Sequence, residues 1–242
     1  MDFVAPTSLE DALRALEPED ARCLAGGQSL VAMMNLGLVS PARLVSLRKI
    51  SSLRGIEKRG DGALRIGAMT THEEIAALDA RLLLSQVARV IAYPAIRAWG
   101  TIGGAVAHAD PAADYPAALV AADATIEVQS TQGARRIAAH EFFRGLFETA
   151  LGKGEIVTAI HVPAQAGKAA YEKLSLVAGD FAVLSVAAGA RIAVGGCSPV
   201  PQVLDSQSDF SKLEFVSDSR ASAQYRRRVL PELVRRTVER CR

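Results

Sequence analysis

The hydrophobic positions of the first fifty residues predict a helix followed by a strand–turn–helix–strand unit. Apolar side chains recur at helical spacing from Leu9 to Leu16, directly after a serine that can cap the helix. Short apolar runs then predict strands at 21–24 and 44–47, with a helix at 28–38 between them. A strand, a glycine turn, a helix and a second strand form a βαβ unit, which favours a small parallel sheet.

The pattern changes after about residue 55 to short strands joined by short links, which favours antiparallel pairing. Helices are predicted at 81–92 and 115–121, and Thr71-His72-Glu73-Glu74 has the residue order of a capping box that starts a short helix. The turn Thr131-Gln132-Gly133 is typical of a hairpin. The strands predicted in this part are 63–69, 124–130, 134–138, 156–162 and 170–176.

The last third of the chain is predicted to be a separate, smaller α+β domain. Its pattern predicts a helix from Asp180, a strand at 191–194, a polar loop over 205–219 and a final amphipathic helix. The predicted domains are 1–165, with subdomains at about 1–55 and 56–165, and 170–242.

Composition and charge exclude several classes of protein. Half of the 242 residues are hydrophobic, which is enough for a sizeable core, and the net charge of +2 is not that of a nucleic-acid binder. No apolar run reaches the roughly 18 residues of a membrane span. The N-terminus lacks the pattern of a signal peptide, so we expect a cytoplasmic protein. Cys23, Cys197 and Cys241 lie far apart, so neither a metal centre, an iron–sulfur cluster nor a disulfide framework is predicted.

The turn Ala25-Gly26-Gly27-Gln28-Ser29-Leu30 is the first candidate for chemistry. Its two glycines permit positive φ angles and remove Cβ atoms, so backbone N–H groups can converge on an anion. The helix that follows directs its positive end to the same place, and Ser29 adds a hydroxyl donor. A tight turn that binds nothing would have the same sequence, so both interpretations stay open.

A second turn, Thr101-Ile102-Gly103-Gly104, repeats this logic some seventy residues later. Two separate glycine turns are suited to a pyrophosphate that is held from both sides, whereas a mononucleotide needs only one. No GxGxxG motif occurs, which excludes the common Rossmann fingerprint. Gly152-Lys153 lacks the glycine spacing and the hydroxyl residue of a phosphate-binding P-loop.

Two strings carry a resemblance to a known family: AGGQSLVAMMNL at 25–36 and IRAWGTIGGAVAHADPAADYPAAL at 96–119. They closely resemble the FAD-binding medium subunit of molybdenum hydroxylases, the relatives of xanthine dehydrogenase and carbon monoxide dehydrogenase. The resemblance implies an α+β fold. It implies a PCMH/VAO-type FAD-binding domain with a small parallel βαβ subdomain and a mixed, antiparallel subdomain. A small α+β C-terminal domain with an antiparallel sheet would follow. This C-terminal domain looks shortened between 183 and 215.

The resemblance also implies roles for individual residues around FAD. The two turns would wrap the diphosphate, and Asp114 would hold a ribose or ribityl hydroxyl. Ile91 and Ile156 would border the cofactor rings. Lys173 would reach the flavin, where an ammonium stabilises the reduced, anionic form. His108, beside the second turn, would contact the cofactor there. The cofactor-binding residues so implied are Leu24, Ala25, Gly26, Gly27, Gln28, Ser29, Leu30, Ile91, Thr101, Ile102, Gly103, Gly104, His108, Asp114, Ile156 and Lys173.

Some of these residues also have plainer interpretations. Asp110, followed by proline, is typical of a helix cap, His108 of a structural histidine, and Lys173 of a solvated strand lysine. Ala105 departs from the family, which commonly has an amide side chain there. The arginines predicted to form the exposed face of the last helix are Arg220, Arg226, Arg227, Arg228, Arg235, Arg236, Arg240 and Arg242.

The resemblance implies an oxidoreductase subunit that transfers electrons and has no catalytic residues of its own. Electrons would arrive from iron–sulfur centres of a small subunit, reduce FAD and leave to NAD, oxygen or a quinone. A molybdopterin-containing large subunit of the heterotrimer would hydroxylate the substrate. Two alternatives stay open: a self-contained flavin oxidase of the vanillyl-alcohol type, which would need its own substrate cap, and a scaffold or nucleotide-sensing module without flavin.

Overall fold

The computed structural model describes residues 1–207 and 209–242. Its first part is a three-stranded parallel sheet with strand order β1-β3-β2. The helix before β2 buries Ala12 and Leu13, and the Ser8 hydroxyl accepts a hydrogen bond from the Asp11 N–H, as a cap does. The elements are β1 (Asp2–Val4), α1 (Leu9–Ala15), β2 (Ala21–Leu24), α2 (Leu30–Asn35) and β3 (Arg43–Ser46).

Helix α2 is shorter than the predicted range 28–38. Gln28 and Ser29 belong to the turn before it, and Gly37, at φ +71°, ends it by allowing the Leu38 N–H to bond to the Met33 carbonyl. The first glycine turn therefore extends to Ser29, the residue before α2.

The second part is a five-stranded antiparallel sheet with strand order β4-β5-β10-β6-β7. Buried apolar side chains of this sheet and of the helices beside it form the largest hydrophobic core among the described residues. The elements are a 3-10 helix (Ser51–Leu53), β4 (Ile56–Lys58), β5 (Leu64–Gly67), α3 (His72–Ala76), α4 (Leu83–Val90), α5 (Pro94–Arg97), α6 (Ile102–His108), α7 (Asp114–Ala121), β6 (Thr125–Ser130), β7 (Gly133–Ala138), α8 (Ala139–Phe142), β8 (Phe143–Gly145), β9 (Glu148–Thr149) and β10 (Ile156–Val162).

The third part is a four-stranded antiparallel sheet covered by the C-terminal helix. Its strands follow each other in chain order, from β11 to β14. The elements are β11 (Ala170–Leu174), β12 (Leu184–Ala188), β13 (Ile192–Gly195), β14 (Gln202–Val203) and α9 (Ala223–Glu239). Parallel and antiparallel sheets with helices give the α+β class that the sequence predicts.

The predicted helix from Asp180 is wrong. Residues 175–182 form a turn in which the Asp180 N–H bonds to the Val177 carbonyl. All five residues of β12 are buried, and this strand pairs with β11 on one side and β13 on the other. A run of five buried residues, four of them apolar, satisfies a central strand better than one face of a helix.

The C-terminal arginines do not all lie on a solvated face, as predicted. Arg226 is fully buried, and its guanidinium donates to the carbonyl of Val183 at 2.9 Å and to the carboxylate of Asp218 at 2.7 Å. Arg240 donates to the Tyr171 carbonyl at 3.1 Å. Arg226 in α9 and Arg240 directly after it therefore help to attach the helix to the residues beneath it. Within the described ranges, no helix is long and apolar enough to span a membrane.

Candidate functional site

The first glycine turn has a run of backbone N–H groups without partners. Within residues 1–207 and 209–242, no hydrogen bond is donated by the N–H groups of residues 26–30. The next donors are bonded in the ordinary way, since the Val31 N–H donates to the Gly27 carbonyl at 3.1 Å. Gly27 has φ +75°, a backbone conformation that glycine adopts without strain. Consecutive unbonded N–H groups in such a turn can bind an anion.

The second glycine turn differs because the N–H groups of Ile102, Gly103 and Gly104 already have partners inside the protein. The Ile102 N–H donates to the Thr70 carbonyl and the Gly103 N–H to the Ala68 carbonyl, at 3.0 and 2.8 Å. The Gly104 N–H donates to the hydroxyl of Thr101, which caps α6. These bonds attach the turn to the loop after β5, so its glycines do not present free N–H groups as the sequence suggested.

Glycine is required at both turns for close packing. A Cβ atom on Gly26 would overlap the carbonyl oxygen of Trp99, and one on Gly104 would lie 3.4 Å from the Cβ of Ala25. A Cβ on Gly103 would lie 2.5 Å from the Cβ of Ala68. The two turns therefore contact each other directly, at Gly26 against Trp99 and at Gly104 against Ala25.

Two cations fix the segment that leads into the second turn. The Arg97 guanidinium donates to the carbonyls of Ile91 at 3.2 Å and Ala92 at 3.4 Å, and it pairs with the Glu73 carboxylate. The Lys173 ammonium donates to the preceding carbonyl, that of Val90, at 2.8 Å. Three consecutive carbonyl groups are thus held by charged side chains.

His72 packs against Gly100, in the segment that leads into the second turn. The His72 N–H donates to the Gly100 carbonyl, and the His72 ring lies 2.7 Å from where a Cβ of Gly100 would be. Burial, together with the nearby positive charge of Arg97, lowers the pKa of His72 to about 4. His72 is therefore neutral at pH 7, and a ring nitrogen lies 3.3 Å from the Tyr115 hydroxyl.

Asp114 and Lys173 form a buried ion pair at the other end of the site. Their charged atoms are 3.1 Å apart, and both side chains are more than nine-tenths buried. The Tyr171 hydroxyl also donates to the Asp114 carboxylate, at 2.6 Å. Burial raises the pKa of the Asp114 carboxyl, although the Lys173 ammonium and the Tyr171 hydroxyl offset part of this effect. Lys173 is therefore not a solvated strand lysine.

The remaining candidates lie in different surroundings. Ile91 is half-buried between α4 and α5, whereas Ile156 is 2% exposed and packs into the core of the parallel sheet. His108, at the end of α6, packs its ring 5.1 Å from that of Phe147.

Asp110 does not cap α7, because its carboxylate accepts the Ala112 N–H in the turn before the helix. Leu24 ends β2, and Leu30 begins α2.

Sequence reasoning missed four residues of this site: Tyr171, Arg97, His72 and Trp99. Arg97 lies in one of the strings that carry the resemblance, but nothing in a one-dimensional pattern pairs Tyr171 with Asp114, 57 positions away. The sequence pattern places His72 only in a capping box, which the structure confirms through Thr71 and Glu74.

Comparison with known proteins places the chain in a family. Residues 1–165 match the family model described as the FAD binding domain in molybdopterin dehydrogenase. The medium subunit of nicotine 6-hydroxylase from Paenarthrobacter nicotinovorans is 33% identical, covering 98% of this chain and 95% of that protein. The carbon monoxide dehydrogenase medium chain of Afipia carboxidovorans is 40% identical over 81% of this chain and 70% of its own length. The chain belongs to the FAD-binding domain family of molybdopterin dehydrogenases.

Solved structures agree over the whole chain. A chain of quinoline 2-oxidoreductase from Pseudomonas putida 86 superposes with a TM-score of 0.94 at 29% identity, covering 100% of this chain and 96% of the other. A chain of the Cu,Mo-CO dehydrogenase gives a TM-score of 0.92 at 33% identity, covering 100% and 97%. The predicted fold class is confirmed: this is an FAD-binding medium subunit of the molybdenum hydroxylase type, an oxidoreductase component whose cofactor is FAD.

Proposed function

We propose that this chain passes electrons from iron–sulfur centres of a small partner subunit through FAD to an external acceptor, NAD, oxygen or a quinone. Hydroxylation of the organic substrate takes place on a molybdopterin-containing large subunit. The support is family membership, together with relatives that are themselves named medium subunits or chains. Within the described residues there is no cluster of His, Cys, Asp or Glu that could hold a metal ion.

The diphosphate of FAD binds at the first turn in this proposal. The observation that carries it is the run of unbonded N–H groups at residues 26–30, which suits an anion that brings its own acceptor oxygens. Residues Leu24 to Leu30 form this cradle. The second turn contributes differently: Gly104 faces Ala25 of the first turn, while Thr101, Ile102 and Gly103 are buried and support it.

The flavin lies towards Asp114 and Lys173, with Ile91 at its side. Each carboxylate oxygen of Asp114 has two lone pairs, so it can accept a cofactor hydroxyl while it keeps Tyr171 and Lys173. Bound FAD supplies the redox chemistry, and the Lys173 ammonium favours its reduced, anionic form. Because Asp114 neutralises much of that charge, protonation of Asp114 would strengthen the effect. His108 and Ile156 remain predicted contacts at the edges of this site.

Partner subunits have an apolar surface available next to the first turn. Helix α2 has no buried residue, and Leu36 and Leu38 directly after it are 74% and 69% exposed. An apolar surface of this kind is typical of a protein contact. We place the subunit interface of the proposed complex there.

The cofactor assignment is tested by titrating the apoprotein with FAD, FMN, riboflavin and ADP and following flavin fluorescence. We expect ADP to compete with FAD, and FMN to bind at least roughly tenfold more weakly, since it lacks the diphosphate. Equal affinities for FAD and riboflavin would place the binding energy in the flavin alone and contradict the first turn as the diphosphate site.

The electron-transfer role is tested in the complex assembled with iron–sulfur and molybdopterin subunits. With substrate present, acceptor reduction should require FAD, whereas reduction of the iron–sulfur centres should not. If a complex assembled from the FAD-free chain reduces the acceptor at the full rate, the proposed path is wrong.

A further inference from the structure

We propose that Arg48 is an additional cofactor-binding residue, whose guanidinium contacts the diphosphate held at the first turn. The inference rests on the proposed function, in that it assumes the diphosphate lies at residues 26–30. It concerns a residue that the sequence motifs do not include.

The strand register brings Arg48 next to the turn. In the parallel pair β2–β3, Leu24 is the partner of Ser46, and the pairing continues by one bond, from the Leu47 N–H to the Leu24 carbonyl at 3.0 Å. After Leu47 the chain turns, with the Ile50 N–H bonded to the Leu47 carbonyl, and Arg48 lies in this turn beyond the end of β3, just as Gly26 lies beyond the end of β2. Ligands of parallel sheets bind beyond the carboxyl ends of the strands, which is where both residues lie.

An aromatic ring orients the Arg48 side chain. Its guanidinium carbon lies 4.3 Å from the centroid of the Trp99 ring, and the Trp99 carbonyl packs against Gly26. The Arg54 guanidinium donates to the Arg48 carbonyl at 2.9 Å, which fixes the backbone of this segment. Stacking on an aromatic face restrains an arginine and leaves its N–H groups at the ring's edge free to bond.

The charge of Arg48 has no counter-ion among the residues that the structure describes. Within residues 1–207 and 209–242 its side chain makes neither a hydrogen bond nor an ion pair, whereas Arg43, on β3, pairs with Asp2 at 2.8 Å. A planar guanidinium that is stacked, restrained and unpaired beside a cradle of N–H groups matches the oxygens of a diphosphate. We infer that the stack holds Arg48 ready for this contact.

The test compares Arg48→Gln with Lys49→Gln, which removes the same charge from an exposed neighbour that does not stack on Trp99. Dissociation constants for FAD, ADP and riboflavin are measured in the apoprotein over a series of salt concentrations. For Arg48→Gln we expect about a tenfold weaker affinity for FAD and for ADP, an unchanged affinity for riboflavin and a shallower salt dependence. Lys49→Gln should change each constant less than about twofold.

Two further measurements complete the test. Arg48→Lys keeps the charge but not the planar fork, so it should recover only part of the affinity. The fluorescence of Trp99, the single tryptophan, should shift in apo Arg48→Gln while the thermal midpoint stays the same. Equal effects of Arg48→Gln and Lys49→Gln, or loss of FAD affinity without loss of ADP affinity, would overturn the inference. If the wild-type apoprotein fails to bind ADP, the proposed diphosphate site is wrong instead.

Discussion

The two glycine turns share a Gly-Gly pair but have different physical constraints. At the first, Gly27 has a positive φ angle and the N–H groups of residues 26–30 have no partners among the described residues. At the second, the N–H groups of Ile102 and Gly103 are bonded to the loop after β5, and Gly103 packs against Ala68. The first turn leaves backbone donors that can bind an anion, and the second brings two segments of backbone together.

The difference shows why glycine content alone does not locate a phosphate. A glycine can be needed for its φ angle or for the absence of its Cβ, and only the partners of the neighbouring N–H groups distinguish a cradle from a packing contact. Substitutions at the two turns should therefore separate cofactor affinity from stability.

The largest effect is expected for Gly26→Ala, because Gly26 belongs to the cradle and to the contact between the turns. The new Cβ would overlap the Trp99 carbonyl, which is backbone and cannot rotate away. We expect a loss of about 3 kcal/mol of unfolding free energy, the upper end of overpacking effects. FAD affinity of the folded fraction should fall roughly a hundredfold. Denaturant unfolding and FAD titration measure the two quantities.

Gly60→Ala is the matched control, since a Cβ there would meet no atom within 4 Å. It should leave both stability and FAD affinity nearly unchanged. Unaltered FAD binding by Gly26→Ala would mean that the turns can separate without cost, and the direct contact would have no functional role.

Lys173→Met sharpens the comparison because it changes charge without altering either turn. Removing one partner of a buried ion pair leaves the other charge uncompensated, which costs about 3 kcal/mol of unfolding free energy at pH 7. The exposed Lys153, replaced in the same way, should have almost no effect.

The pH dependence of the Lys173→Met deficit has a definite sign. Burial already raises the pKa of the Asp114 carboxyl, and loss of the ammonium raises it further. A raised pKa in the folded state gives stability that is complete below the ordinary pKa of about 4 and is lost as the pH rises through the folded value. The deficit relative to wild type should therefore shrink between pH 7 and pH 4. A deficit that is constant with pH would show that Asp114 does not carry the effect.

Local elements could be predicted from sequence wherever the chain's own pattern determines them. Strands 21–24 and 156–162 are observed with the predicted bounds, because alternating or continuous apolar runs fix them locally. The prediction of a helix from Asp180 was wrong because the pairing of β12 with its two neighbouring strands determines its extended conformation. The partners of Asp114 and the buried Arg226 could not be predicted, since these contacts join residues far apart in the chain.

Gly103→Ala should separate stability from affinity at the second turn. A Cβ on Gly103 would lie 2.5 Å from the Cβ of Ala68 and 2.7 Å from its carbonyl oxygen, so the turn must shift. We expect a loss of about 2 kcal/mol of unfolding free energy. Because its N–H group is bonded to Ala68 and not free, FAD affinity of the folded protein should change less than about threefold. A large loss of affinity without loss of stability would show that the second turn also contacts the diphosphate.

The smallest effect on stability, but a clear one on affinity, is expected for Gly27→Ala. The new Cβ would lie 3.2 Å from Val31, a tight contact with a side chain that can adjust, so the main cost is the φ angle of +75°. An L-residue in this conformation costs about 1 kcal/mol. The backbone can relieve that strain only by rotating the peptide groups whose N–H groups form the cradle. FAD affinity should therefore fall about tenfold, and riboflavin affinity should stay the same.

Gly37→Ala, at φ +71° beyond α2, is the matched control: it has the same strain but should leave FAD affinity unaltered. If both variants weaken FAD binding equally, the free N–H groups of the first turn are not what distinguishes it from the second.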